Sequence, residues 1–155
     1  MEVRLVWVGK THKSWLKEGL EEYLGRLKHY TKLKCIEIPD IKNPKNFKAD
    51  ELKKKEGELI LPHLQGDAYL LDENGKHFNS LQFSKHIEQL QIQGTKQFTL
   101  VIGGAFGFSP EVYQKAKGKI RLSDMTFSHQ MIRVFLAEQL YRAFTIINRE
   151  PYHNA

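Results

Sequence analysis

The segment Gly103-Gly104-Ala105-Phe106-Gly107 is the part of this chain best suited to meeting a ligand with main chain. It follows a fully apolar run, Phe98-Thr99-Leu100-Val101-Ile102, and glycines at the carboxyl end of a buried strand let another molecule approach the backbone. The spacing is not that of the dinucleotide fingerprint G-x-G-x-x-G, so the turn points to a small ligand without naming it. Farther on, His129 and Arg133 lie four residues apart on one helical face, where an imidazole can accept a proton and a guanidinium can hold a phosphate.

Other chemistries lack their residues. Gly9-Lys10-Thr11 looks like the end of a phosphate-binding P-loop, but Arg4 stands where that loop needs a further glycine, so a turn with an exposed lysine is the better account. The seven histidines include no i, i+4 pair and no cluster with carboxylates at metal-ligand spacing, so no metal site is expected. Neither a G-x-S-x-G elbow nor a Ser-His-Asp set is visible. The single cysteine, Cys35, rules out an internal disulfide and is expected to be a small buried side chain in the run 33–38.

Those residues need a scaffold, and the hydrophobic pattern supplies one. Apolar β-branched runs at 3–8, 33–38, 68–72, 98–102 and 119–122 read as strands. Between them, Trp15, Leu16, Leu20, Tyr23, Leu24 and Leu27 mark a first helix, and a lysine-rich stretch leads to a second that ends near Pro62. Residues 73–76 read as a turn, Ser80 as the cap of a third helix ending by Gly94, and Ser109-Pro110-Glu111 as the start of a fourth. A last helix runs over 128–147. Alternating strands and helices predict one α/β domain over 1–155, with a mostly parallel sheet covered on both faces. The last helix is apolar around well over half its circumference, more than one sheet can bury, so a second copy of the chain is expected to cover the rest.

A net charge of +6 and a sequence pI near 9.3 suit an anionic partner, and RNA phosphate or base is a candidate contact for His129 and Arg133. No run is long enough to span a bilayer and no signal-peptide layout opens the chain, so a cytoplasmic protein is expected.

Taken together, Leu70-Leu71-Asp72, Leu100-Val101-Ile102-Gly103-Gly104, Leu122-Ser123, His129, Arg133, Glu138-Gln139-Leu140-Tyr141-Arg142-Ala143 and Pro151-Tyr152-His153 resemble one family along the whole chain. It is the RlmH family of 23S rRNA pseudouridine N3-methyltransferases, minimal members of the SPOUT methyltransferases. The resemblance implies a C-terminal trefoil knot, a homodimer and S-adenosyl-L-methionine as methyl donor. Donor-binding positions carried onto this chain are Leu71, Gly103, Leu122, Ser123, Asp124, Met125, Thr126 and Phe127. Many SPOUT relatives carry Gly-Gly-Pro-Glu-Gly in the glycine turn, so Ala105 and Phe106 leave this turn without an acid of its own.

The N3 of pseudouridine must lose a proton, and His129 and His153 are the candidate acceptors, beside an ordered water. Arg133, Arg142, Tyr152 and His153 are candidates for holding phosphate or stacking on an exposed base. With no separate RNA-binding domain, the expected partner is 23S rRNA in the large subunit or, more specifically, the assembled ribosome. The alternatives are methylation of another RNA such as tRNA and a non-catalytic ribosome-binding module.

Overall fold

In the computed structural model, which describes residues 1–154, the apolar runs become strands β1 (Glu2–Val8), β2 (Lys32–Ile38), β3 (Asp67–His77), β4 (Gln97–Ile102) and β5 (Gly118–Arg121). They form one sheet in the order β2-β1-β4-β3-β5, with every neighbouring pair parallel. Parallel neighbours need crossovers, supplied by α1 (Ser14–Leu27), α2 (Ala49–Ile60), α3 (Ser80–Ile92) and α4 (Pro110–Lys115). The last helix, α5 (His129–Ile147), follows β5.

Side-chain alternation along β1 divides the core in two. Val3, Leu5 and Trp7 pack with Leu20 of α1, Ile87 of α3 and Leu140 of α5, whereas Val6 packs with Ile60 of α2 and Val112 of α4. The strand order matters for function because β4, β3 and β5 are adjacent, so the loops leaving β4 and β5 converge on the middle of β3.

Three sequence expectations are corrected. Residues 73–76 do not end the third strand: β3 continues to His77 through a bulge in which Leu71 and Lys76 both pair with Ile120. Gly75 permits this, because a Cβ there would lie 2.6 Å from the Ile120 backbone. Asn79, not Ser80, caps α3, and its side chain and that of Gln82 exchange hydrogen bonds with each other's backbone N–H in a capping box. Cys35 is exposed, not buried, because β2 is an edge strand in which only Ile38 is fully covered.

The excess apolarity of α5 is partly used within the chain. The helix lies against both α1 and α3 and buries Leu136, Ala137, Leu140, Ala143 and Phe144. Phe135 nevertheless remains 37% exposed, and Trp15 on α1 is 60% exposed. Among the described residues, no helix is long and apolar enough to cross a membrane, and no three His, Cys, Asp or Glu side chains gather as a metal site.

His86 gives the fold a pH dependence. Its ring lies 5.2 Å from those of Tyr69 and Phe78, and its Nε2 is buried without a hydrogen-bond partner. Burial first, then Lys76 and Lys117, push its pKa below the ordinary value, against a weaker pull from Asp67. The folded state therefore resists a proton that the unfolded chain accepts. Its stabilising contribution is present above the unfolded value near 6.5 and is lost as pH falls below it. In urea titrations from pH 7.5 to 5, His86→Phe should lose less stability than the wild type; parallel curves would refute this assignment.

Candidate active site

Strand β4 ends at Ile102, and the chain turns tightly at once. Gly104 and Gly107 form an isolated antiparallel bridge, the Gly107 N–H donates to the Gly104 carbonyl at 3.2 Å, and Gly107 has φ +84°. Bulk is excluded on two sides. A Cβ on Gly103 would sit 2.8 Å from the Phe108 ring, and one on Gly104 would sit 2.6 Å from both carboxylate oxygens of Glu56. Gly103→Ala must displace the buried Phe108 and is expected to lower stability by about 1–3 kcal/mol, as overpacking does. An unchanged denaturation midpoint would mean that the ring yields freely.

The second wall comes from the β3 bulge. Asp72 accepts from the Asn74 N–H at 2.8 Å and from the Tyr113 hydroxyl at 2.5 Å, which ties β3 to α4. Burial and this bond to a carboxylate raise the Tyr113 phenol to about 12, so it stays a donor at neutral pH. The third wall is the loop after β5. There Ser123 Oγ accepts from the Met125 N–H at 3.0 Å, Arg121 pairs with Asp124 at 3.2 Å, and the Phe127 ring lies 4.7 Å from Phe135. Ser128 then caps α5 by accepting from the Met131 N–H.

These walls enclose a cavity of about 660 Å³. Leu71, Gly103, Leu122, Ser123, Asp124, Met125, Thr126 and Phe127 all line it, together with Asp72, Tyr113 and His129. Its lining is mixed, with glycine backbone and polar groups beside Ile102, Phe108 and Ile132, and its size is ordinary for a small-molecule site. His129 is exposed at its edge, and burial of part of the ring, together with Arg133, lowers its pKa. The imidazole is neutral at pH 7 and so able to accept a proton.

Arg133, expected to face RNA, is instead buried and engaged within the chain. It is 1% exposed, its Nη2 donates to the Val8 carbonyl at 2.7 Å, and its Nη1 donates to the Gly9 carbonyl and Thr11 Oγ1 at 3.1 Å. The guanidinium also lies over the Trp7 ring at 5.2 Å. The helical spacing that suggested a shared face with His129 is correct, but the end of β1 and the loop that follows it cover that face at Arg133. The same contacts explain Gly9-Lys10-Thr11: the Gly9 carbonyl and the Thr11 hydroxyl accept from Arg133, and Gln130 holds the Lys10 carbonyl and the His12 N–H. This is a clamp on a loop, not a phosphate cradle.

Arg142, Tyr152 and His153 gather elsewhere, around Glu138. Arg142 donates to Glu138 Oε1 through Nε at 3.1 Å and Nη2 at 2.5 Å, and the Tyr152 hydroxyl donates to the same oxygen at 3.1 Å. Arg142 Nη1 lies 3.1 Å from His153 Nδ1, and its guanidinium is 4.8 Å from the Tyr152 ring centre. None of these four residues lines the cavity of their own chain. Sequence reasoning did not single out Tyr113 or Glu56: Tyr113 gains its part only through Asp72 of β3, Glu56 lies against the turn from a helix distant in sequence, and neither belongs to a local motif.

Comparison with known proteins bears on the family and the fold. The family model described as predicted SPOUT methyltransferase matches residues 1–153. Proteins named ribosomal RNA large subunit methyltransferase H are 51% identical in Christiangramia forsetii, 49% in Flavobacterium johnsoniae and 43% in Trichlorobacter lovleyi, each match covering 99% of this chain and at least 99% of the relative. A solved structure of a probable methylase family protein from Haemophilus influenzae superposes with a TM-score of 0.50 at 12% identity, covering 99% of this chain and 70% of that one, which speaks to the fold alone.

Proposed function

The chain belongs to the SPOUT methyltransferase family, and on that premise we propose that it methylates large-subunit ribosomal RNA, at N3 of a pseudouridine, with S-adenosyl-L-methionine as donor. The observation that carries this reading is the convergence of Leu71, Gly103 and the whole 122–127 loop on one cavity between the β3 bulge and the carboxyl ends of β4 and β5. A bare glycine backbone, main-chain groups in the third loop and apolar side chains offer an adenine-bearing ligand both edge hydrogen bonds and face contacts. The donor supplies a methyl group on a sulfonium, already a good leaving group, so alignment is the enzyme's main task.

The residues divide that task. The glycine turn and the 122–127 loop hold the donor, and the Asp72–Tyr113 link fixes the wall between them. His129, neutral and at the cavity edge, takes the N3 proton. His153 is the weaker candidate because its Nδ1 faces the Arg142 guanidinium. A second cleft of about 320 Å³ shares Leu122, Ser123, Phe127 and Ile132 with the main cavity, so donor and acceptor base have room side by side.

The active form in this reading is a homodimer in the cytoplasm: a second copy covers the exposed Phe135 and Trp15, and its Tyr152-His153 tail completes a cavity that the chain's own tail does not line. The return of α5 from the outer strand β5 to the face of α1 and α3 supports a trefoil knot through the donor loops. In this reading the protein recognises the preformed surface of the assembled ribosome. Mass mapping of rRNA nucleosides with and without the protein tests the activity: a 3-methylpseudouridine that is absent without it is expected. An unchanged nucleoside profile, or no calorimetric binding of S-adenosylmethionine, would remove the reading. Methylation of bare rRNA as fast as of ribosomes would remove its ribosomal part.

A further inference from the structure

The glycine turn has no acid of its own, yet a carboxylate lies against it. Glu56 comes from α2, on the opposite side of the turn from Phe108, and both its oxygens fall 2.6 Å from where a Gly104 Cβ would be. The neighbouring Gly57 explains how α2 comes this close: a Cβ there would lie 2.4 Å from Ser109 Oγ, the cap of α4. A single Glu-Gly pair thus seats α2 on both ends of the loop that joins β4 to α4. The carboxylate is half-buried, and burial raises its pKa while the Gly104 N–H opposes that rise. No basic side chain pairs with it among the ion pairs of the described residues, so the turn backbone is its evident partner.

We propose that Glu56 is a positioning residue for the donor site: its carboxylate grips the Gly104 backbone and holds the 103–107 turn in the shape that lines the cavity. It does not itself line the cavity, so it acts through the turn. The inference rests on the donor reading of the cavity, but the grip on Gly104 can be measured without any donor.

Two measurements on the full-length protein test it. Hydrogen exchange of the Gly104 amide, without donor, should be slow in the wild type and accelerate at least tenfold in Glu56→Ala, as expected when a charged acceptor is withdrawn. Calorimetric Kd for S-adenosylmethionine should rise about tenfold in Glu56→Ala and stay within about threefold in Glu56→Gln, whose amide oxygen still accepts. A merely structural role would lower the melting temperature of both variants without this split. Fast Gly104 exchange in the wild type overturns the proposal, even if the alanine variant cannot be folded. So does an alanine variant that binds donor as the wild type does. If the wild type binds no donor, the reading of the cavity fails instead, and the exchange measurement still decides whether Glu56 holds the turn.

Discussion

Arg133→Met should destabilise the fold by about 3 kcal/mol and weaken donor binding, although Arg133 touches neither solvent nor the cavity. Its guanidinium makes three hydrogen bonds, to the Val8 and Gly9 carbonyls and to Thr11 Oγ1. Methionine keeps much of the bulk against Trp7 but leaves those acceptors without a donor, at roughly 1–3 kcal/mol for each one that water does not reach. Against this stands the relief of not burying a charge, the cause that lowers the Arg133 pKa. The acceptors win, because the other anchors of their loop, Gln130 at Lys10 and His12 and the Gly9 N–H on the Ile38 carbonyl, satisfy none of the three. Arg133→Lys keeps the charge but has no planar fork to span the Val8 carbonyl and the Gly9–Thr11 pair, so it should fall between the two. Gln130→Ala, near the surface, should lose about 1 kcal/mol. Urea midpoints measure all three. An Arg133→Met protein as stable as the wild type would show that the clamp is not what holds the loop.

Arg133 also marks how far the sequence could be read. Its i, i+4 relation to His129 follows from the helix, but which helical face is covered there depends on the end of β1 and the loop that follows it, more than a hundred residues away. The strands and helices were legible because period 2 and period 3.6 patterns are local. So was the cap at Ser109-Pro110, whose whole mechanism lies within one turn. The extension of β3 was not, because the residues 73–76 have turn chemistry and stay in the sheet only where Gly75 passes close against Ile120 of another strand. Cys35 was misplaced for a similar reason: nothing in an apolar run says whether its strand is central or at the edge. The convergence of Leu71, Gly103 and residues 122–127 came from resemblance to a family, since spacing alone places no two of those loops together. Glu56 had no signal at all, being one of four acids in α2 until the fold sets it against Gly104.

Arg142→Ala should lower kcat on ribosomes by about a hundredfold while leaving donor affinity within about twofold, the loss expected when catalytic parts drift by an ångström. The guanidinium is the hub of the tail: it grips Glu138, faces His153 and lies over Tyr152. Without it, Glu138 keeps the Tyr152 hydroxyl and the Gln139 amide, neither of them charged, and His153 loses its neighbour. Since none of these side chains lines the donor cavity of the same chain, donor binding has no reason to change. Arg142→Lys offers one ammonium where Glu138 and His153 need a fork, so a drop of about tenfold is expected. Steady-state kinetics on ribosomes, set beside donor calorimetry, separates the two effects. Equal losses in kcat and donor affinity would place the tail beside the donor rather than the acceptor base. Mixed dimers extend the test. One chain lacking residues 152–155, paired with another carrying Gly103→Ala, retains one cavity and one tail on opposite protomers. Activity above that of either parent is expected if the tail serves the partner's cavity, and none if each chain serves itself.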